Sequence, residues 1–174
     1  QLIEEKAQGY AKWQSAYGEW RKNKPELAKE LDQRFSKELP AALKEELVNT
    51  FKEGSKDATR NLSGKVIQVI AKQLPNFIGG SADLEPSTKT TITDGGEIQA
   101  GSFGGRNIRF GVREHAMGSL VNGLAYSQCW FPYSATFLVF SDYMRPTMRL
   151  AALSHLQSLF VFTHDSFYVG EDGP

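Results

Sequence analysis

From residue 58 onward, short apolar runs alternate with stretches of helical periodicity, and this alternation narrows the possible folds more than any other feature of the chain. Leu62, Val66, Ile67, Val69 and Ile70 line a helix over residues 58–73, and Pro75 follows its end. Residues 77–84 read as a short apolar strand running into a Gly/Ser/Asp loop, and residues 87–105, rich in Thr, Gly and Ser, as a long surface loop. The spacing then predicts a second strand over residues 107–111, a helix over 115–127, a third strand within 131–140, a helix over 143–153 and a fourth strand over 159–164. Strands separated by helices are joined by crossovers, which lay them parallel in one sheet. The expected fold is α/β: a parallel sheet with helices on both faces, preceded by amphipathic helices.

Charge sets that lead-in apart. Of 40 charged residues, 22 fall within residues 1–57, which are read as a helical lead-in or linker, with the α/β domain over 58–174. Leu2, Ile3, Tyr10, Trp13, Tyr17 and Trp20 recur at helical intervals. Pro25 stands at the first turn of a second helix over residues 26–39, where Leu27, Leu31, Phe35 and Leu39 repeat every four, and a short third helix follows over 41–48. The total charge balances at 20 basic and 20 acidic residues, which removes the broad electrostatic footprint of a nonspecific nucleic-acid binder. No apolar run approaches the roughly 18 residues that span a bilayer. Neither nucleic acid nor membrane is therefore expected as a partner. The single Cys129 allows no internal disulfide and suits a reducing compartment, so the cytoplasm is the expected location, or an organelle if a transit peptide precedes this segment. A chain that opens on Gln1 and closes on Gly170-Glu171-Asp172-Gly173-Pro174 reads as a fragment.

Ligands of open parallel sheets bind outside the carboxyl ends of the strands, where Asp83, Arg113-Glu114-His115 and His164-Asp165 all fall. Glu114 follows a strand and starts a helix. Spacing alone leaves two roles open for it: a cap or surface salt bridge favoured by the helix dipole, or a carboxyl group in a drier site that shares a proton with a ligand nitrogen. Phe137, Phe140 and Tyr143, at intervals of three, suit either core packing or a slot for a flat heteroaromatic ring. The three histidines have no metal-binding spacing, and no metal site is expected in this chain. Gly101-Ser102-Phe103-Gly104-Gly105 precedes a strand instead of opening a helix and reads as a structural loop.

Four ordered motifs carry a resemblance. Gly79-Gly80-Ser81-Ala82-Asp83-Leu84, Arg109 to Gly118 (RFGVREHAMG), Ala135 to Arg145 (ATFLVFSDYMR) and Thr163-His164-Asp165-Ser166 with Val169-Gly170-Glu171-Asp172-Gly173-Pro174 resemble transketolase, in its middle, pyrimidine-binding domain and the segment before it. The resemblance implies a thiamine diphosphate-dependent transferase of aldehyde or ketone residues. It would move a two-carbon ketol unit from a ketose phosphate to an aldose phosphate through the cofactor's ylide, in the pentose phosphate pathway or the Calvin cycle. Carried over by motif, Glu114 is the catalytic glutamate that hydrogen-bonds N1′ of the cofactor's aminopyrimidine. Phe137, Phe140 and Tyr143 form the aromatic pocket around that ring, and Asp83 lies near the cofactor. Arg60, Ser87 and His164 match contacts to the substrate phosphate, and Asp172 the carboxylate that binds a substrate hydroxyl.

The diphosphate and its divalent metal, Mg or Ca, belong in the family to an amino-terminal domain that these residues do not match. The cofactor there lies at a homodimer interface, so the isolated segment is expected to be inactive. Phe167-Tyr168, Glu85 and residues 88–105 depart from the family pattern. A sister enzyme such as dihydroxyacetone synthase shares these motifs, and a noncatalytic pyrimidine-domain scaffold is a further alternative. Glu114 together with all three aromatics argues against the scaffold.

Overall fold

Two adjacent glycines set how closely the central layers approach. In a computed structural model that describes residues 2–165, Gly79 and Gly80 lie in the first strand, β1 (Phe77–Ser81), buried throughout. A Cβ on Gly79 would stand 2.1 Å from the Tyr133 carbonyl oxygen, and one on Gly80 2.0 Å from that of Ile108. Neither neighbour can retreat, since both atoms are backbone.

By its contacts the chain divides into two compact units after Glu38. In the first, α1 (Leu2–Asn23) precedes α2 (Pro25–Ser36), whose proline pre-sets the first turn. Arg21 grips Asp32 with two hydrogen bonds of 2.8 and 2.6 Å, which holds the Asp32 carboxyl below its ordinary range. The aromatic residues of α1 stack in sequence, with ring centroids 5.9 Å apart for Tyr10–Trp13, 5.1 Å for Trp13–Tyr17 and 5.7 Å for Tyr17–Trp20. Helix α2 ends three residues before the expected position. Ser36 bonds back to the Gln33 carbonyl and accepts from the Glu38 amide, and Lys37 turns left-handed at φ 56°.

The second unit begins with α3 (Leu43–Asn49), which charge alone groups with the lead-in but which packs on α4 (Thr59–Gln73). The Gln73 side-chain amide donates to Glu46 across that contact at 2.6 Å. Asp57 ties the start of α4, accepting from the Ala58 amide, the Asn61 side chain and Lys65. Asn61, then Lys65 and the Ala58 amide, hold its carboxyl below the ordinary value of 3.8. A depressed carboxylate stabilises the fold above its unfolded value and loses that contribution as pH falls through the folded one. The wild-type melting temperature is therefore expected to fall more steeply below about pH 4 than that of Asp57→Asn. The difference should be small and salt-sensitive because the pair is at the surface; parallel acid limbs in thermal melts would contradict it.

Beyond β1 come α5 (Glu85–Thr88), α6 (Glu114–Tyr126), β2 (Phe131–Phe137), a 3₁₀ segment (Leu138–Met144), α7 (Arg145–Leu153) and β3 (Leu159–Thr163). The strands lie parallel in the order β1-β2-β3, with Gly79 opposite Tyr133 and Ala135 opposite Val161. Each sheet face buries its own cluster. Phe77 and Tyr133 pack with Ile67 and Ala71 of α4 on one face, while Met117 and Val121 of α6 pack with Met144, Phe160 and Phe162 on the other. The expected parallel sheet covered on both faces is thus present.

Two local expectations need correction. Residues 107–111 do not form a strand: only Asn107 bridges to Gly79, and Gly111 at φ 65° turns the chain away. The described residues therefore contain three strands, not four. Asn107 is committed elsewhere, donating to the Ile92 and Gly96 carbonyls and accepting from the Ile92 amide. Residues 87–105 are also more than a surface loop, since Thr88, Thr90 and Ile92 are buried and the Tyr133 hydroxyl donates to the Thr90 carbonyl at 2.6 Å. Burial pushes the Tyr133 phenol well above its ordinary range, keeping it a neutral donor.

Candidate functional site

The turn at Gly111 delivers Glu114 to the sheet edge. Arg113 donates to the Phe110 carbonyl at 3.0 Å, the Met117 amide donates to the Arg113 carbonyl at 2.8 Å, and Glu114 becomes the first residue of α6. Its side chain is buried, at 8% exposure. Among the described residues it makes no hydrogen bond or ion pair. The surface salt-bridge role left open by spacing is thereby removed for the described residues.

Glu114 faces a cavity of about 400 Å³ lined also by Ala82, Asp83, Leu84, Val112, Phe140 and Tyr143. Asp83 follows β1 in the left-handed region at φ 63°, a conformation Asp tolerates better than most side chains. The aromatics are ordered by local geometry, because side chains three apart on a 3₁₀ turn eclipse one another. Phe137, Phe140 and Tyr143 accordingly form a row, with centroids 6.2 and 6.3 Å apart and planes inclined by 16° and 17°. The row divides the two roles that spacing left open. Phe137 is core, while half-buried Phe140 and exposed Tyr143 line the cavity. Motif reading passed over Ala82, Leu84 and Val112, whose only signal was apolar character beside Asp83 and Arg113.

Residues 104 positions apart in the chain meet at a second point of the same edge. Arg60, near the start of α4, places Nη1 2.9 Å from Nε2 of His164, just after β3. A guanidinium can only donate, so Nε2 is the acceptor in this contact. The Phe137 ring also packs against this imidazole, 4.7 Å between centroids at 60°. Ser87 sits half-buried in α5 and makes no hydrogen bond to Arg60 or His164. Asp172, like Phe167-Tyr168, lies outside the described residues.

A larger hollow, of about 500 Å³, lies between α4 and residues 85–91. Several of its polar groups already have protein partners: Asp57 as above, Gln68 with the Thr91 carbonyl and Thr93 amide, and Glu85 with Arg109 at 3.3 Å. It stitches the loop to the helix and leaves the smaller cavity as the candidate site. Among the described residues, no three of His, Cys, Asp or Glu cluster as a metal centre would require.

Comparison with known proteins agrees with this layout. Residues 55–174 match the family "Transketolase, pyrimidine binding domain". The chain is 52% identical over 165 residues to a transketolase of Physarum polycephalum, covering 95% of this chain and 25% of that protein. It is 48% identical over 162 residues to that of Aquifex aeolicus, covering 93% and 23%. Among solved structures, the Leishmania mexicana transketolase superimposes with a TM-score of 0.87 at 35% identity, covering 99% of this chain and 26% of that one. A Pichia stipitis transketolase in complex with sedoheptulose-7-phosphate gives 0.84 at 36% identity, covering 99% and 26%. The chain thus spans about a quarter of the length of these relatives. With a family match over most of its residues and close relatives along nearly all of them, the chain belongs to the transketolase family, of which residues 55–174 are the pyrimidine-binding domain.

Proposed function

We propose that this chain supplies the pyrimidine half of a thiamine diphosphate site, in an enzyme that transfers a two-carbon ketol unit between sugar phosphates. The observation that carries this reading is Glu114, largely buried and without a hydrogen-bond or ion-pair partner among the described residues, on the wall of a cavity with two aromatic side chains. A nitrogen heterocycle that brings a proton to that carboxylate satisfies the group and fills the slot. When bound, thiamine diphosphate supplies a thiazolium carbon acid able to attack a ketose carbonyl.

The residues of this chain divide the remaining work. Glu114 would hold the proton at N1′ of the aminopyrimidine. Phe140 and Tyr143 supply the aromatic lining for the ring, with Leu84 and Val112 beside them. Asp83 lies on the rim of the cavity. At the other end Arg60 grips a substrate phosphate through its planar fork of donors, with Ser87 and His164 adding donors, and Asp172 accepts from a substrate hydroxyl. The diphosphate, a divalent metal and a second subunit complete the site from outside this chain.

The test uses the full-length polypeptide. Two-carbon transfer from a ketose phosphate to ribose 5-phosphate should require added thiamine diphosphate. Transfer to formaldehyde in preference to ribose 5-phosphate would assign the chain instead to dihydroxyacetone synthase, and no transfer at all would overturn the reading.

A further inference from the structure

Strands β2 and β3 leave the sheet together: Phe137, the last residue of one, lies opposite Thr163, the last residue of the other. Two residues beyond this pair on each strand, the Val139 amide donates to Oδ2 of Asp165. Val139 belongs to the first turn of the 3₁₀ segment Leu138–Met144, whose leading amides have no acceptor within the segment. Phe137, the residue before it, carries no side-chain acceptor to cap them. A carboxylate 26 residues further along the chain supplies the cap instead. The two partners are not equally held. The 3₁₀ segment is fixed at its far end by Met144, fully buried in a cluster with Met117 and Val121 of α6. His164 and Asp165 are both exposed. The bond therefore ties an exposed segment to a packed one.

What the tie holds is His164. Its backbone leaves β3 at Thr163 and is fastened again at Asp165, so the main chain is fixed on both sides of the residue whose Nε2 accepts from Arg60 at 2.9 Å. We propose that Asp165 is a positioning residue: by accepting the Val139 amide it holds His164 beside Arg60 and so sets the affinity of the site for a phosphorylated substrate. This rests on the assignment of His164 and Arg60 to substrate phosphate. Asp165 acts through an acceptor oxygen, and asparagine caps a helical end about as well as aspartate, so the amide serves in its place. Asp165 does not line the cavity beside Glu114, and its effect is confined to the phosphate end.

The experiment uses the full-length protein at saturating thiamine diphosphate, with Asp165→Ala, Asp165→Asn, His164→Ala and the double variant that combines the two alanines. KM and kcat are read for a ketose phosphate donor and for an unphosphorylated 2-keto donor, and thermal unfolding reports stability. Asp165→Ala is expected to raise KM for the phosphorylated donor about fivefold, the size of one hydrogen bond's net contribution. Its kcat, and its KM for the unphosphorylated donor, should stay within about twofold of wild type. Asp165→Asn keeps an acceptor and should return KM for the phosphorylated donor to within about twofold of wild type. In the His164→Ala background, Asp165→Ala should change that KM by less than about twofold. A melting temperature lowered by Asp165→Ala with KM unchanged would make the residue merely structural and overturn the proposal. Equal losses in Asp165→Asn and Asp165→Ala overturn it too, because the charge and not the bond would then matter, as does independent multiplication of the Asp165→Ala and His164→Ala effects. If His164→Ala alone leaves KM for the phosphorylated donor unchanged, the phosphate assignment itself fails, and the proposal with it. If His164→Ala raises that KM and Asp165→Ala does not, the positioning role of Asp165 alone is refuted.

Discussion

Gly80→Ala is expected to lower the melting temperature of the pyrimidine-binding domain by roughly 6–12 °C or to prevent its accumulation in folded form, as read by thermal unfolding. The added Cβ would stand 2.0 Å from the Ile108 carbonyl oxygen, far inside contact distance. Ordinary overpacking costs about 1–3 kcal/mol because side chains give way. Here the opposing atom is backbone, held by the Ile108 amide's own bond to the Gly79 carbonyl at 2.8 Å and by the Arg106 carbonyl's bond to the Gly79 amide at 3.1 Å. The whole 106–110 segment would have to peel from β1, carrying with it the turn that places Glu114. The cost therefore lies at or above the top of that range, and a melting temperature unchanged by Gly80→Ala would show that this close approach does not hold the site together.

Glu114→Ala should act on chemistry with little effect on the fold. Because Glu114 makes no hydrogen bond or ion pair among the described residues, the variant is expected to be about as stable as the wild type. Its turnover in the full-length enzyme should fall by about 10²–10⁴-fold, the range that a positioned proton-transfer group contributes. The combination is diagnostic: a cap or structural ion pair would lose stability and keep activity, whereas a functional carboxylate does the opposite. Near-normal two-carbon transfer by a folded Glu114→Ala protein would remove Glu114 from the mechanism.

The parallel sheet was readable because its strands are short apolar runs bounded by Gly, Pro and Asp. The strand misassigned at 107–111 shows the limit of that pattern. Apolar Ile108 and Phe110 resemble a strand, but the side chain of Asn107 is spent on a loop 11–15 residues upstream, and a positive φ at Gly111 ends the run. Periodicity registers neither long-range hydrogen bonds nor the sign of φ. Glu114, Asp83, Phe140 and Tyr143 could be nominated from their motifs, and the structure brings all four to one cavity. Interval counting could not separate Phe137 from its two companions. That division arises because β2 ends at Phe137 while Phe140 and Tyr143 continue on a 3₁₀ turn beyond the sheet. The meeting of Arg60 with His164 was likewise invisible to local pattern, since only the parallel register brings the start of α4 and the end of β3 together.

If Glu114 is the proton-holding partner of a bound aminopyrimidine, loss of the C2 proton from the bound cofactor depends on it. The direct measurement is the rate at which the C2 proton of thiamine diphosphate exchanges with deuterated water when bound to the full-length protein, compared between wild type and Glu114→Gln. Glutamine keeps the size and polarity of the side chain but cannot hold that proton as a carboxylate does. The prediction is an exchange rate about 10²-fold or more slower in Glu114→Gln, with the cofactor still bound. Equal exchange rates in the two proteins would contradict it.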